Sequence, residues 1–332
     1  MTDDAPQVAK TSLAHRLYHG ETTFNFVGRR RFWWAVSAVV ILAGLIALVV
    51  QGLNLGIDFE GGTSWEVPAP GVSVSEARDA VRPLGLGNAT IQTIGDDRIR
   101  VASDSEAPDQ QQRISEALAT VAGVDVSQVS VNDVGPSWGD AVTKKARNAL
   151  VVFFILISIY ISLRFEWKMA MAALAAVVHD ILVTVGVYAI SRFEVTPATV
   201  VAFLTILGYS LYDTIVVFDK VEENTKGLAA SGRFTYSDTV NLSMNQVLMR
   251  SLNTSIVAIM PIVSILVIGA GVLGATTLND FGLALLVGLL TGAYSSIFIA
   301  APILAVLKER EPRYAGVRQR LTAKGGAGLL TP

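Results

Sequence analysis

Six apolar runs organise this chain: Phe32–Val50, Asn148–Leu163, Met169–Ser191, Thr196–Phe218, Ser251–Leu273 and Phe281–Leu307. Each approaches or exceeds the roughly 17–25 residues that a helix needs to cross the hydrocarbon of a bilayer. The second run is the shortest. Phe32–Val50 is too long for the apolar stretch of a cleaved leader, and no small-residue cleavage motif follows it. The pattern changes over residues 53–140, where short alternating stretches replace the long runs. Thr63–Val67 predicts a strand, and Ser73 or Ser75 caps a helix that runs to about Leu84. Ala89–Ile94 and Arg98–Ala102 predict two strands joined by a Gly95-Asp96-Asp97 turn. A helix capped by Asp109 then runs to about Ala122, and Gln128–Val134 closes a strand–helix–strand–strand–helix–strand order. That order predicts a small ferredoxin-like α+β domain, with a modest core and little room for an enzymatic pocket.

The expected fold is therefore a polytopic α-helical membrane protein with one small α+β domain on one side. Its divisions are an N-terminal segment 1–31, a first span 32–52, the domain 53–140, a five-span bundle 141–307 with a polar loop 219–250, and a tail 308–332. Thr235–Met249 in that loop has the pattern of a separate amphipathic helix on the membrane surface. Residues from about Ala315 onward have the composition of a flexible tail. Composition agrees, with 52% hydrophobic and only 16% charged residues.

Charge sets the expected orientation. Arg29, Arg30 and Arg31 precede the first run, and Lys308, Arg310, Arg313, Arg318, Arg320 and Lys324 follow the last. Arg164 and Lys168 lie between runs two and three, and Lys220, Lys226, Arg233 and Arg250 between four and five. The positive-inside rule makes these regions cytoplasmic, with both termini inside. Lys144, Lys145 and Arg147 oppose the rule, beside a domain large enough to translocate regardless of charge. The chain has no cysteine, and His15, His19 and His179 are too scattered for a zinc site. No phosphate-binding G-x-x-x-x-G-K-[ST] loop is present, so neither a nucleotide cofactor nor a metal is expected.

Candidate chemistry lies in the polar residues of the runs. Asp213 sits inside Thr196–Phe218, where an ionised side chain costs about 2.5–3.5 kcal/mol. Such residues mark ion or proton paths; the alternative is a structural helix–helix hydrogen bond. Arg250, with Asn253 and Thr254 at i+3 and i+4, opens the fifth run in the same half of the bilayer. It is either a counter-charge for Asp213 or a snorkelling interface arginine. His179 and Asp180 lie near the middle of run three. Adjacent helical positions point about 100° apart, so one of the pair is expected to face a given partner. Asp180 and Thr184 make a short polar stripe, read equally as a helix–helix bond or a proton relay. Ser210 and Tyr209, with Thr291 and Ser295 on the sixth run, are positioned to shape the hydrogen bonding of Asp213, whereas Tyr212 is expected to face a neighbouring helix or lipid. Gly288, Gly292 and Ser296 suit close helix contact, or reflect ordinary glycine content. Desolvation raises a carboxyl pKa and an arginine lowers it, so an aspartate alternating between the two settings binds and releases a proton. The membrane potential supplies about 2.3 kcal/mol per charge per 100 mV.

Several motifs in order resemble the SecF family of protein-translocase subunits, part of the SecD/SecF group in the RND superfamily. They are Gly56-Ile57-Asp58-Phe59-Glu60-Gly61-Gly62-Thr63, Val134-Gly135-Pro136-Ser137, Arg164-Phe165-Glu166-Trp167 and His179-Asp180. Gly208-Tyr209-Ser210-Leu211-Tyr212-Asp213-Thr214, Phe218-Asp219 and Arg250-Ser251-Leu252-Asn253-Thr254-Ser255 complete the set. The resemblance covers Phe24 to about Lys308. It implies pairing with SecD, work beside the SecYEG channel, indirect links to SecA and YajC, and contact with unfolded preprotein on the outer face. It also implies that proton motive force drives the later, ATP-independent stage of export, with Asp213 and Arg250 at the acidic and basic functional positions. No enzymatic activity, cofactor or nucleic-acid partner is implied. The family often has Asn where this chain has Tyr212. The glycine-rich motif reads as a rigid hinge between span and domain, with Asp58 and Glu60 as the alternative lining of a proton entrance. A stand-alone RND-type exporter of lipid or small molecules and a non-conducting scaffold are the competing functions.

Overall fold

The computed structural model describes residues 22–95, 97–104, 106–226, 234–272 and 275–323. His15, His19, Asp96, Arg233, Leu273 and Lys324 lie outside them, as do most of the N-terminal segment and the end of the tail.

Six helices are long and apolar enough to cross a membrane. They are α1 (Arg30–Gln51), α5 (Pro136–Arg164), α6 (Trp167–Ser191), α7 (Pro197–Thr225), α8 (Tyr236–Ser264) and α9 (Thr276–Ser295) with its continuation to Glu309. Local chemistry sets their starts. Proline at the first positions of α5 and α7 pre-sets the helical φ where no N–H partner is needed. Thr196 with Thr199, and Thr235 with Asp238, form reciprocal caps that satisfy the first free N–H groups of α7 and α8. α9 passes through a wide π-helical turn, Ser296–Ala300, into α10 (Ala301–Glu309).

The spans differ in surroundings. The windows of α6, α7 and α9 are about half buried, and those of α1, α5 and α8 are only 11% buried. The first three therefore form the interior of the bundle. Glycines set the closest crossings: a Cβ on Gly44 of α1 would come within 2.5 Å of Gly186 Cα on α6.

Between α1 and α5 the chain forms β1 (Asn54–Leu55), a short α2 (Ile57–Glu60) and the small domain. The domain comprises β2 (Gly62–Pro68), α3 (Val74–Val81), β3 (Thr90–Ile94), β4 (Arg98–Ser103), α4 (Pro108–Ala122) and β5 (Ser130–Val134). Its sheet order is β3-β4-β2-β5 with all neighbours antiparallel, which is the ferredoxin-like arrangement. Trp65, Val67, Ile99, Val101, Ile114 and Leu118 fill the core under α3 and α4. β1 pairs in parallel with β6 (Glu194–Val195), which follows α6 and forms a small platform where the domain meets the bundle.

Three expectations are corrected. Thr235–Met249 is not a separate surface helix: it is the first half of the continuous α8, because Val240, Met244, Val247 and Leu248 pack into the bundle core. Residues 315–323 are not a flexible tail, since α11 (Pro312–Ala323) runs through them and Tyr314 packs at a tilt against Tyr236, ring centres 4.8 Å apart; the rest of the expected tail lies outside the described residues. Asp109 does not cap α4; Ala107 does, with Pro108 at the first position. Ser73 caps α3 through a reciprocal bond with Glu76.

Candidate functional site

Asp213 lies in the middle of α7, and only 8% of its surface is accessible. Ser251 of α8 brings its Oγ to 2.6 Å from both carboxylate oxygens. On the adjoining face α9 approaches with small residues. A Cβ at Gly292 would stand 2.6 Å from Ser210 Cβ, and one at Gly288 would strike Ile206. One turn on, Ser296 Oγ lies 2.9 Å from Thr214 Oγ1 and donates to the Ser210 carbonyl at 3.3 Å. Gly288, Gly292 and Ser296 thus oppose Ile206, Ser210 and Thr214, each pair one turn from the next. This stripe is a tight α7–α9 seam that carries hydroxyls to the buried aspartate.

A second carboxylate is held one turn earlier on α7, at Ser210. Ser210 Oγ donates to Asp180 Oδ2 at 2.6 Å, and Asp180 Oδ1 lies 3.2 Å from His179 Nδ1. Both members of the pair are buried and bond to each other, and each faces a different neighbouring helix, Asp180 towards Ser210 of α7 and His179 towards Ser37 of α1, as the 100° between adjacent helical positions requires. The α6 backbone directs them differently, but both side chains bend into the shared interior. His179 Nε2 continues to Ser37 Oγ at 3.1 Å, which lies 3.1 Å from Tyr294 Oη. Tyr294 in turn donates to the Trp33 carbonyl at 3.0 Å and stacks on His179. Four helices therefore contribute to one buried polar chain from Tyr294 to Ser210.

Arg250 directly precedes Ser251 but is exposed at the bundle surface, and among the described residues no ion pair joins it to Asp213. Asn253 is also exposed, and Thr254 bonds back to the Arg250 carbonyl. Tyr209 ties α7 to α8 by donating to the Thr254 carbonyl at 3.0 Å. Tyr212 is 51% exposed and points away from the bundle interior. Thr291 and Ser295 bond to carbonyls of their own helix and do not reach Asp213. Thr184 is buried, with its hydroxyl unpartnered among the described residues, so it does not extend an Asp180 stripe. Ser251, Ser37 and Tyr294 belong to the network without having been singled out in the sequence. Isolated hydroxyls in apolar helices carry no periodic signal. Among the described residues no three His, Asp or Glu side chains group as metal ligands.

The glycine-rich motif forms a compact joint. Gly56 donates to the Val195 carbonyl at 2.9 Å, and a Cβ there would lie 2.6 Å from Glu194 Oε1. Gly61 and Gly62 take φ values of 83° and 126°, and a Cβ on Gly62 would strike the Ser103 carbonyl. The positive φ favours glycine at both Gly61 and Gly62, and at Gly62 the backbone also excludes a side chain. Gly139 of α5 packs on the Phe59 carbonyl, which also accepts from Thr143 at 3.3 Å. Burial pushes the Asp58 carboxyl above its ordinary range, with Arg100 acting in the opposite direction. Glu60 is exposed at the edge of the joint.

Residues 113–310 match the family described as protein export membrane protein SecD/SecF, C-terminal, and residues 46–69 match the SecD/SecF GG motif. The chain is 43% identical over 318 residues to a protein translocase subunit SecF of Streptomyces coelicolor, covering 96% of this chain and 85% of that one. It is 36% identical over 290 residues to a protein translocase subunit SecDF of Bacillus subtilis, covering 87% of this chain and 38% of that one. The crystal structure of SecDF from Thermus thermophilus, a translocon-associated membrane protein, superposes with a TM-score of 0.77 at 32% identity. That likeness covers 88% of this chain but 39% of the SecDF chain.

Proposed function

The chain belongs to the SecD/SecF family of protein-export membrane proteins, and on that footing we propose that it couples proton flow to the later, ATP-independent stage of preprotein export. The small domain lies on the extracytoplasmic side in this reading, and both termini are cytoplasmic. Arg29, Arg30, Arg31, Arg164, Lys168 and Lys308 cluster at the opposite end of the bundle, which supports that orientation. A relative that runs as a single SecDF polypeptide supports SecD as the direct partner. SecYEG is the channel served. SecA and YajC are more distant members of the assembly, and unfolded preprotein meets the small domain. The chain carries out no chemical conversion and uses no cofactor; the proton gradient is its energy source.

The buried Asp213 carboxylate carries the reading. It is held by a hydroxyl of α8 and connected through the α7–α9 seam to the Asp180–His179 pair. Arg250, one residue before Ser251, reaches Asp213 in a second state of the cycle by rotation or sliding of α8. Exchange of a hydroxyl partner for a guanidinium changes the proton affinity of the carboxylate. Alternation between the two moves a proton if each state opens to a different side. This chain spans about two fifths of the SecDF structure, which favours half of a paired transporter over a stand-alone exporter.

The test uses vesicles holding this chain with SecD and the channel. Asp213→Asn and Arg250→Ala are expected to abolish both gradient-stimulated export and the accompanying proton flux. Normal export and flux in both variants would overturn the proposal.

A further inference from the structure

Arg100, on β4 of the small domain, is buried to 7% exposure at the junction with the bundle. Its Nε donates to Glu66 Oε1 of neighbouring β2 at 2.8 Å. Its Nη1 donates to Glu194 Oε2 at 2.7 Å and lies 3.6 Å from Asp280 Oδ2. Glu66 belongs to the domain; Glu194 follows α6 and Asp280 lies in the first turns of α9. A cavity of ≈ 480 Å³ surrounds the group, and among the described residues Arg100 is the only cation lining it, against Asp58, Glu66, Asp133, Glu194 and Asp280. Burial by itself would weaken the guanidinium's hold on its proton, but Glu194, Asp280 and Glu66 outweigh it and keep Arg100 firmly charged.

The two bundle carboxylates lie on, or directly after, helices that build the buried network. Glu194 follows α6, which carries His179 and Asp180. Asp280 is on α9, whose Gly292 and Ser296 face Ser210 and Thr214 of α7. The Gly56 joint also holds Glu194 in place, because β1 pairs with β6, the Gly56 amide donates to the Val195 carbonyl, and Glu194 Oε1 lies over Gly56 where a Cβ would stand. A shift of α9 along α7 therefore moves Asp280 relative to Glu194. Arg100 must then follow one carboxylate or lose both. Packed interfaces of this kind move between discrete arrangements and do not deform smoothly.

We propose that Arg100 with Glu194 and Asp280 is the latch through which the membrane helices move the small domain, so that Arg100 is a positioning residue for export. The latch rests on the proton-coupled reading given above. It predicts that loss of Arg100 separates proton flow from export: the Asp213 site still cycles, while the domain no longer follows.

The experiment uses the complex with SecD in proteoliposomes. Because the chain has no cysteine, spin labels can be attached at Arg113→Cys on the domain and Ser191→Cys on the bundle alone. With Arg100 present, a single narrow distance is expected. Arg100→Met should broaden it and lower gradient-stimulated export at least about fivefold, with proton flux held within about twofold. Arg100→Lys, which keeps the charge but not the fork, should fall between. If Arg100→Met does not assemble, the paired change Glu194→Gln with Asp280→Asn removes the latch from the bundle side and should give the same result. Unchanged distance and export in these variants, with export lost in Asp213→Asn, would overturn the latch and leave the proposed function standing. A broadened distance in Arg100→Met, with normal export and flux in Asp213→Asn, would overturn the proposed function and the latch with it, leaving Arg100 as a contact that only fixes the domain on the bundle.

Discussion

Ser251 Oγ stands 2.6 Å from both carboxylate oxygens of Asp213, joining α8 to α7 at the most deeply placed acid of that helix. One hydroxyl proton cannot serve two oxygens at once, so the Ser251 hydroxyl can switch between the two accepting oxygens without moving the backbone. It also fixes the face of α8 that meets Asp213 and leaves Arg250, one residue earlier, outside.

Ser251→Ala is expected to leave the carboxylate short of a donor in a buried setting, a loss of about 1–3 kcal/mol. Export should fall, and the pH at which proton flux is half-maximal should shift. Ser251→Thr keeps the hydroxyl and should retain most activity. Flux measured against pH in vesicles distinguishes them. An Ala variant with an unaltered pH profile would remove Ser251 from the site.

The α7–α9 seam offers a sharper steric test. Gly292→Ala puts a Cβ 2.6 Å from Ser210 Cβ between two packed helices, and overpacking of this kind costs about 1–3 kcal/mol. Gly208, two residues before Ser210 and on the exposed face of α7, has no atom within 4 Å of its Cβ position. Gly208→Ala should be neutral or stabilising by up to about 1 kcal/mol. Thermal unfolding in detergent should rank Gly208→Ala at or above the parent and Gly292→Ala below it.

Length and hydropathy made the six spans legible, and turn chemistry made the domain's strand order legible. Asp213, Ser210 and the His179–Asp180 pair stood out because a polar side chain in an apolar run is conspicuous. Ser37, Ser251 and Tyr294 did not, since serine and tyrosine are unremarkable in membrane helices and only tertiary contact gives them meaning. The continuity of α8 was missed for a related reason. Its first half is amphipathic, and whether that face meets lipid headgroups or the bundle core depends on neighbours far away in sequence. Arg250 directly precedes Ser251, yet it faces outward, because proximity along two helices does not fix rotation about their axes.

Two glycines with positive φ separate backbone strain from steric exclusion. Gly85 has φ 90° with open space around its Cβ position, whereas Gly62, at φ 126°, has the Ser103 carbonyl in the way. Gly85→Ala should cost about 1–2 kcal/mol, the penalty of a left-handed backbone for an L-residue. Gly62→Ala should cost more, because β2 must also move away from β4 where Thr63 pairs with Ser103. Protease resistance of the domain within the SecD complex would register the difference.

Two carboxylates should give opposite pH dependences. Glu311 lies beside Lys168 at 3.0 Å and Lys308 at 3.5 Å. Burial acts to raise its pKa, but these lysines outweigh it and hold the carboxyl below the ordinary 4.5. Its stabilising contribution is therefore complete above the unfolded value and disappears as pH falls through the folded one. Asp58 is the reverse: burial raises it above 3.8 against the pull of Arg100, so its ionised form weighs against the folded state once pH exceeds the folded value. Near neutral pH, Glu311→Gln should melt below the parent and Asp58→Asn at or above it. Both gaps should narrow as pH is lowered from about 6 to about 3, where the parent carboxyls become protonated. Melting curves in detergent across that window test both signs together. An Asp58→Asn variant clearly less stable than the parent at neutral pH would mean that attraction to Arg100 outweighs burial at the joint.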